Sequence, residues 1–211
     1  MARTFLDISV QYLLLNAAGV TGTPLTISAW FYPLAADDHY LLSTADTVAP
    51  GDGFNLRGTS TNKLRATSSQ SDTDRVAETV ATFSLNTWNH ACGVFASSTS
   101  RSIYLNGSNK VTNTTASTPT GIDTTAIGTL YDDQGARFHS EARIAEVAVW
   151  NVDLNDAEVA ALAGGIAPLW VRPANCVGYW PVWGLHDPEI DLNPNPTTHN
   201  AMTLVNGPTL A

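Results

Sequence analysis

Charged side chains are scarce in this sequence of 211 residues, where Asp, Glu, Lys and Arg together make up 14%. The charge is also one-sided, because ten Lys and Arg face nineteen Asp and Glu, which gives a formal net charge of −9. A protein that binds nucleic acid needs a basic surface to neutralise phosphates, so nucleic acid is not an expected partner. The same acidic surface favours solubility and repels anionic membranes.

Long apolar runs and cysteines are equally rare. The longest apolar run near the start, Tyr12–Leu15, is far too short to span a bilayer. Residues 1–3 lead directly into strand-like sequence without the apolar core of a signal peptide, so we predict a chain that begins there and bypasses conventional secretion. Cys92 and Cys176 each fall in a predicted strand, and they are either free buried thiols or one core disulfide.

Short runs of alternating polarity, separated by Gly, Asn, Asp, Ser and Pro, dominate the remaining sequence and predict an antiparallel β sandwich. The clearest run is 24–33, where Leu25, Ile27, Ala29 and Phe31 share one face of a strand and Ser28, Trp30 and Tyr32 share the other. The same pattern predicts strands over 39–45, 53–57, 63–68, 76–83, 88–95, 101–107, 110–114, 144–150, 176–182 and 201–205.

Local signals add one turn and one helix to these strands. Asn106 and Gly107 predict a type I′ hairpin turn, which requires positive φ at both central residues. After the 144–150 strand, Asn155 can cap a short helix, Glu158 can complete a capping box, and a glycine pair at 164–165 ends it. No linker-like change of composition interrupts the chain, so residues 1–211 are predicted to form one domain.

Four segments in order resemble the laminin G-like and pentraxin-like members of the concanavalin A-like superfamily. They are LTISAWFYP at 25–33, WNHAC at 88–92, YLNG at 104–107 and IAEVAVWN at 144–151. The resemblance implies an all-β, two-sheet antiparallel jelly-roll sandwich with one short helix after the 144–150 strand. It also implies a protein that binds or assembles and does not catalyse.

The C-terminal segments 179–182, 188–192 and 204–208 resemble more narrowly the laminin G-like proteins encoded by tailed phages. This resemblance implies a structural protein of the virion, either a capsid decoration protein or a tail accessory protein. Its partners would be other virion proteins, glycans or both, and it would suit a homo-oligomer. The alternative is a free-standing lectin or adhesion module, extracellular or on a cell surface, with calcium as a candidate ligand.

Some relatives in the superfamily are glycosidases, so the Glu189-Ile190-Asp191 triplet is a candidate catalytic site. A retaining glycosidase places two carboxyl groups roughly 5–5.5 Å apart, one of them as proton donor. The position that resemblance assigns to the third acid holds Asn193, whose amide cannot donate a proton as an acid does. The surrounding prolines and asparagines are also typical of turns. We therefore predict that the triplet is not catalytic.

Calcium binding is the better chemical hypothesis, because calcium takes six to eight oxygen ligands, usually from Asp and Glu on loops. Pentraxins carry an acidic run before the strand that resembles 144–150, and this sequence has Asp132 and Asp133 there. These two residues are the predicted metal ligands, and a solvated acidic loop is the alternative. Two weaker candidates, each a pair of aspartates in a predicted turn, are Asp72 with Asp74 and Asp37 with Asp38.

Aromatic residues could stack on sugars or fill the core. Four tryptophans fall within strand patterns and are predicted to fill the sandwich core: Trp30, Trp88, Trp150 and Trp180. Trp170 and Trp183 lie near Pro and Gly outside the strongest strands, so they are the predicted exposed contacts for a ligand or a neighbouring subunit. His90 lies two positions after Trp88 and is predicted to be a hydrogen-bonded core side chain.

Overall fold

The computed structural model describes residues 2–183, 188–194, 201–206 and 208–210. Helix α1 spans Asp156–Ala163, and single turns of 3₁₀ helix span Asp7–Ser9, Pro168–Trp170 and Pro173–Asn175. The strands are β1 (Arg3–Phe5), β2 (Tyr12–Leu15), β3 (Leu25–Pro33), β4 (His39–Ala45), β5 (Gly53–Gly58), β6 (Leu64–Gln70), β7 (Thr73–Glu78), β8 (Asn89–Ser97), β9 (Ser100–Leu105), β10 (Ser108–Asn113), β11 (Thr124–Ile127), β12 (Leu130–Asp132), β13 (Gly135–Arg137), β14 (Ala142–Trp150), β15 (Cys176–Trp180), β16 (Thr203–Val205) and β17 (Thr209–Leu210).

The strands form two antiparallel sheets that pack face to face, which confirms the predicted all-β jelly-roll sandwich. One sheet has the order β10-β9-β8-β3-β14-β1-β17, with β15 also paired to β14. The other has the order β16-β2-β11-β4-β5-β6-β7. A separate hairpin, β12–β13, lies against β4 on the second sheet. The last two strands each form one edge of a sheet, since β17 pairs with β1 and β16 pairs with β2.

The core lies between the sheets and follows the predicted alternation. Leu25, Ile27, Ala29 and Phe31 of β3 are fully buried in it, as the sequence pattern predicts. Rings from the facing sheets interlock there, because Phe54 of β5 and Phe95 of β8 meet edge to face with centroids 5.2 Å apart. The alternate residues of β3 and β5 therefore point outward, away from the core.

A second apolar cluster lies under α1 on the outer face of the first sheet and includes Trp150, Val159 and Leu162. The indole Nε1 of Trp150 donates to the carbonyl of Val171 at 2.7 Å, which satisfies the one polar group of this buried ring. Helix α1 begins with the predicted capping box, in which Asn155 and Glu158 exchange side-chain to backbone hydrogen bonds. Within the described segments, no helix has the length and apolarity needed to cross a membrane.

Both cysteines are free and buried, which resolves the two alternatives in favour of thiols. Burial raises the pKa of the Cys92 thiol above its usual range, and it raises that of Cys176 to about 12. Thiols that stay protonated are poor nucleophiles and poor metal ligands. The two side chains therefore act as small apolar residues of the second cluster.

One strand and one bulge differ from simple sequence expectation. The predicted 76–83 strand ends at Glu78 and starts earlier, at Thr73, directly after Ser71 and Asp72 turn the chain with positive φ. In β14, Glu146 also has positive φ, and the pairing with β3 shifts there by one residue. On its other edge β14 changes partner at the same place, from β1 to β15.

Candidate ligand-binding clefts

Glu189 and Asp191, the two acids of the 189–191 triplet, are buried and hold segments of the chain together. Glu189 is ion-paired with Arg3 of β1, whose Nη2 lies 2.9 Å from Glu189 Oε2, and both side chains are fully buried. The other carboxylate oxygen, Oε1, accepts the backbone N–H of Val182 at 3.0 Å. The carboxylate thus joins the start of the chain to the segment after β15.

Asp191 also has a structural role, because both of its carboxylate oxygens are hydrogen-bonded within the protein. Its Oδ1 accepts the backbone N–H of Tyr179 at 2.8 Å and that of Asn193 at 2.9 Å. Its Oδ2 accepts the Asn193 side-chain amide at 2.6 Å. Asn193 therefore holds a carboxylate in place, at the position where the resemblance to glycosidases would require an acid.

A cleft of about 350 Å³ opens on the outer face of the second sheet, beside the β12–β13 hairpin. We call it the hairpin cleft. Because Phe54 and Leu56 of β5 point into the core, the alternate residues Asn55 and Arg57 point outward, and they line this cleft. Tyr40 of β4 and Phe138, the residue after β13, also line it.

Aromatic and guanidinium groups stack along the wall of the hairpin cleft. The Tyr40 and Phe138 rings are nearly parallel, at 18°, with centroids 6.0 Å apart. Arg57 lies over Tyr40 at 5.2 Å from the ring centroid, and Arg137 lies over Phe138 at 5.5 Å. Phe138 is 53% exposed and has a φ of 55°, so the backbone holds a large apolar ring in solvent at a conformational cost.

Polar atoms in the same wall lack partners. Asn55 is only 7% exposed, and its buried Oδ1 accepts no hydrogen bond. The Nε–H groups of Arg57 and Arg137 are likewise buried without an acceptor, although other atoms of these guanidiniums pair with Asp38 and Asp132. Buried polar groups without partners are costly, so this wall is suited to a ligand that supplies hydroxyl groups.

The predicted calcium ligands lie at the rim of this cleft. Asp132 is buried, with Oδ2 bonded to Arg137 and Oδ1 accepting the backbone N–H of Gln134 at 3.0 Å. Asp133 is exposed at the hairpin turn. The cleft also collects Asp38, Asp72 and Asp74, but no three acidic, His or Cys side chains of the described chain approach closely enough to hold a metal ion. Calcium binding stays a prediction.

A second cleft, of about 480 Å³, opens on the outer face of the first sheet beside the loop that follows α1. We call it the helix cleft. Its lining includes Trp30 of β3, His90 of β8, Glu146 of β14, Tyr179 of β15 and Trp183. The prediction that Trp30 fills the core is wrong, because Trp30 is on the outward face of β3 and only half-buried.

The other three tryptophans predicted to fill the core differ in burial. Trp88 is 43% exposed and packs edge to face on Tyr32, so the prediction that it belongs to the core is also wrong. Trp150 and Trp180 are buried as predicted. An alternating pattern shows which residues share a face of a strand, but the outer face of a sandwich is covered only where another element packs on it.

His90 has one hydrogen-bonded ring nitrogen and one without a partner. Its Nε2 lies 2.9 Å from Ser28 Oγ, while the buried Nδ1 makes no hydrogen bond. Burial lowers the pKa of His90 to about 4, so the ring is neutral at neutral pH. The prediction of a buried, hydrogen-bonded histidine is therefore correct for Nε2, whereas Nδ1 lacks the partner that a fully satisfied ring would have.

Glu146 is the carboxylate of the helix cleft. Its Oε2 accepts the hydroxyl of Tyr179 at 2.5 Å. Burial raises the pKa of Glu146, although the Tyr179 hydrogen bond and the charge of the N-terminus act to lower it. Burial, together with the Glu146 charge, also raises the pKa of Tyr179, so its hydroxyl remains a donor.

Trp170 and Trp183 are both exposed, at 81% and 45%, as predicted for contact residues. Trp183 lies in the helix cleft. Trp170 lies outside it, in a shallow depression beside α1 with Ile166 and Arg172. Their contact with a ligand or a partner stays a prediction.

Several solved structures share this fold. A putative carbohydrate binding protein from Bacteroides ovatus superimposes with a TM-score of 0.65 and 18% identity, over 96% of this chain and 57% of that one. The CBM40 of the Ruminococcus gnavus IT-sialidase, bound to α2,3-sialyllactose, gives 0.58 and 16%, over 69% and 85%. Domain 4 of the Geobacillus stearothermophilus arabinanase AbnA, in complex with arabinotriose, gives 0.55 and 18%, over 68% of each chain.

A heptameric SAP-like pentraxin from Limulus polyphemus is similar over 75% of this chain and 77% of that one, with a TM-score of 0.53 and 16% identity. No curated protein sequence matches the chain. Residues 8–160 do match a laminin G family, and they contain the core strands from β2 to β14 described above. The chain therefore belongs to the concanavalin A-like lectin/glucanases superfamily.

Proposed function

We propose that the protein is a non-catalytic binding module that holds a neutral glycan in the hairpin cleft. The observation that carries the proposal is the buried Asn55 Oδ1, which has no hydrogen-bond partner in a wall that also presents an exposed aromatic ring. A sugar combines both complementary features, because its hydroxyls donate hydrogen bonds and its C–H faces pack on rings. Phe138 over Tyr40 supplies that ring surface.

The charge of the cleft favours a neutral sugar over an acidic one. Five aspartates line it, against two arginines that already pair with Asp38 and Asp132. An anionic sugar would meet this excess of carboxylates and a protein of net charge −9. Among the structurally similar domains, one holds the acidic sugar of sialyllactose and another holds arabinotriose, and the charge balance here supports the neutral type.

Binding without catalysis is supported by the state of the candidate catalytic groups. Both carboxylates of the 189–191 triplet are buried and bonded within the protein. The Ser28–His90 pair resembles part of a nucleophile–base arrangement, but Ser28 is buried and the pKa of His90, at about 4, makes it a weak base at neutral pH.

The experiment that tests the proposal is isothermal titration with a panel of neutral and sialylated oligosaccharides. We expect saturable binding of a neutral oligosaccharide, weakened about tenfold by Asn55→Ala or Phe138→Ala through the loss of a hydrogen bond or of ring contact. Trp183→Ala, an aromatic truncation in the helix cleft, is the matched control and should leave that affinity unchanged. Preference for sialylated sugars, or neutral-sugar binding that Asn55→Ala does not weaken, would contradict the proposal.

A virion role as a capsid decoration or tail accessory protein is a second proposal, which rests on the phage-like C-terminal segments. The highly exposed Trp170 beside Ile166, itself 49% exposed, gives a small apolar surface suited to a protein neighbour. The protein should then occur in purified particles at a stoichiometry set by capsid or tail symmetry. Its absence from particles, together with chelator-sensitive binding of a glycan by the free chain, would favour the alternative of a free-standing lectin.

A further inference from the structure

The helix cleft differs from the hairpin cleft in position and in chemistry. It opens on the outer face of the first sheet, whereas the hairpin cleft opens on the outer face of the second. The hairpin cleft mixes arginines with aspartates, and the helix cleft has neither in its described lining. The two clefts therefore suit different ligands.

Glu146 is the one carboxylate of the described lining, and that lining contains no Lys or Arg, so the positive charge that acts on it comes from the N-terminus, outside the lining. The bulge in β14 gives Glu146 a φ of 54°, an uncommon backbone conformation for a non-glycine residue, and turns its side chain to the cleft. The carboxylate there is fixed by the Tyr179 hydroxyl at 2.5 Å. A partly buried carboxylate of this kind is stabilised by a cation that enters the cleft.

Aromatic rings form much of the remaining lining of the cleft. Trp30, Tyr179 and Trp183 line it together with His90, whose ring centroid lies 5.3 Å from that of Trp30. The faces of such rings carry negative electrostatic potential and attract ammonium groups. His90 adds no positive charge at neutral pH, and its fully buried Nδ1 has no partner. Apolar side chains of Ile166 and Pro168 close the opposite side.

We propose that the helix cleft binds an organic ammonium group, with Glu146 as its counter-ion and the rings of Trp30, Tyr179 and Trp183 as its walls. The volume of about 480 Å³ accommodates a small ammonium-bearing molecule or the ammonium end of a larger one. The site is independent of glycan binding in the hairpin cleft. A neutral ligand of the same shape lacks both the ion pair and the attraction of the rings for a cation.

The test compares choline with its neutral carbon isostere, 3,3-dimethylbutan-1-ol, on the whole chain by calorimetry and tryptophan fluorescence. We expect saturable binding of choline and at least about tenfold weaker binding of the isostere, because about 1.4 kcal/mol of cation-specific attraction corresponds to a factor of ten. A titration with propylammonium separates primary from quaternary ammonium ligands. Equal affinities for choline and the isostere, or no binding of either ammonium ion, would overturn the proposal.

Two variants assign the binding to this cleft. Glu146→Gln keeps the size of the side chain and removes its charge, so it should weaken choline about tenfold or more and leave the isostere unaffected. Trp183→Ala removes a ring that is 45% exposed, and it should weaken choline binding several-fold. Asp153→Asn, an exposed change of the same charge outside the cleft, is the matched control. Choline binding that survives both cleft variants would refute the assignment.

The same proteins are titrated with the neutral oligosaccharide that tests the hairpin cleft. Glu146→Gln and Trp183→Ala should leave sugar affinity unchanged, while Asn55→Ala should leave choline affinity unchanged. A failure of the glycan proposal can therefore be distinguished from a failure of the ammonium proposal. Loss of both activities in Glu146→Gln would overturn the independence of the two clefts.

Discussion

Lowering the pH should destabilise the protein through His90, which is buried in the wall of the helix cleft. The ring is 1% exposed, and no carboxylate among the described residues hydrogen-bonds to it, because Nε2 pairs with Ser28 and Nδ1 has no partner. Burial holds the pKa of His90 at about 4, against 6.5 for the unfolded chain. Between pH 6.5 and pH 4 His90 is protonated in the unfolded state and neutral in the folded state. The free energy of unfolding therefore falls as the pH falls.

The magnitude follows from the size of that difference. One pKa unit corresponds to 1.36 kcal/mol, so His90 should cost about 3 kcal/mol of stability between pH 7 and pH 4. The stability is fully present above the unfolded pKa and is lost as the pH approaches the folded pKa. Burial also lowers the pKa of His39 and His139, which adds to the effect in the same direction.

The assay is urea denaturation of the natural protein and of His90→Gln at several pH values between 7 and 4. A Gln side chain can keep a hydrogen bond to Ser28 but does not titrate. Between pH 7 and pH 4 the variant should therefore lose about 3 kcal/mol less stability than the natural protein. His139→Gln is the control and should retain most of the pH dependence. Parallel pH profiles for the natural protein and His90→Gln, or an NMR titration of His90 near 6.5, would refute the reasoning.

Three further predictions concern the Arg3–Glu189 ion pair, the calcium hypothesis and the helix cap. Glu189→Ala should lower the free energy of unfolding by about 3–5 kcal/mol in urea, because it removes the carboxylate facing the buried Arg3; a loss near zero would contradict the structural role of the ion pair. If Asp132 and Asp133 bind calcium, EDTA should lower the melting temperature, and an unchanged melting curve would exclude the site. Asn155→Ala should cost about 1 kcal/mol by breaking the capping box, measured by thermal unfolding, whereas Asn16→Ala, at an exposed asparagine outside any helix, is the control and should leave the stability unchanged.

Local sequence patterns predicted much of the fold. The alternation in β3 placed Leu25 and Phe31 in the core, and the Asn155 and Glu158 pair defined the start of α1. Strands of three or four residues, such as β1, β2 and β12, were not predicted because they are too short to show a period. Their existence depends on pairing with strands far away in the chain.

The clefts were less accessible to sequence reasoning. Asn55 and Arg57 lie in an ordinary alternating strand, and the cleft that they line depends on a hairpin about eighty residues later that folds beside β4. Phe138 carries a weak signal, a large apolar residue within a polar turn region, that could have been read as an exposed contact. Trp183 was predicted as exposed, but its neighbours in the helix cleft come from four separate strands.

The bulge at Glu146 also determines which side chains of β14 face the core. Before it, the even-numbered Ala142 and Ile144 point into the sandwich core, whereas after it the odd-numbered Val147 and Val149 do so. The extra residue is thereby what turns Trp150 toward α1. Removing one residue at this position would send the indole into the space that Val149 occupies, so β14 tolerates exchange of side chains at 146 far better than a change in its length.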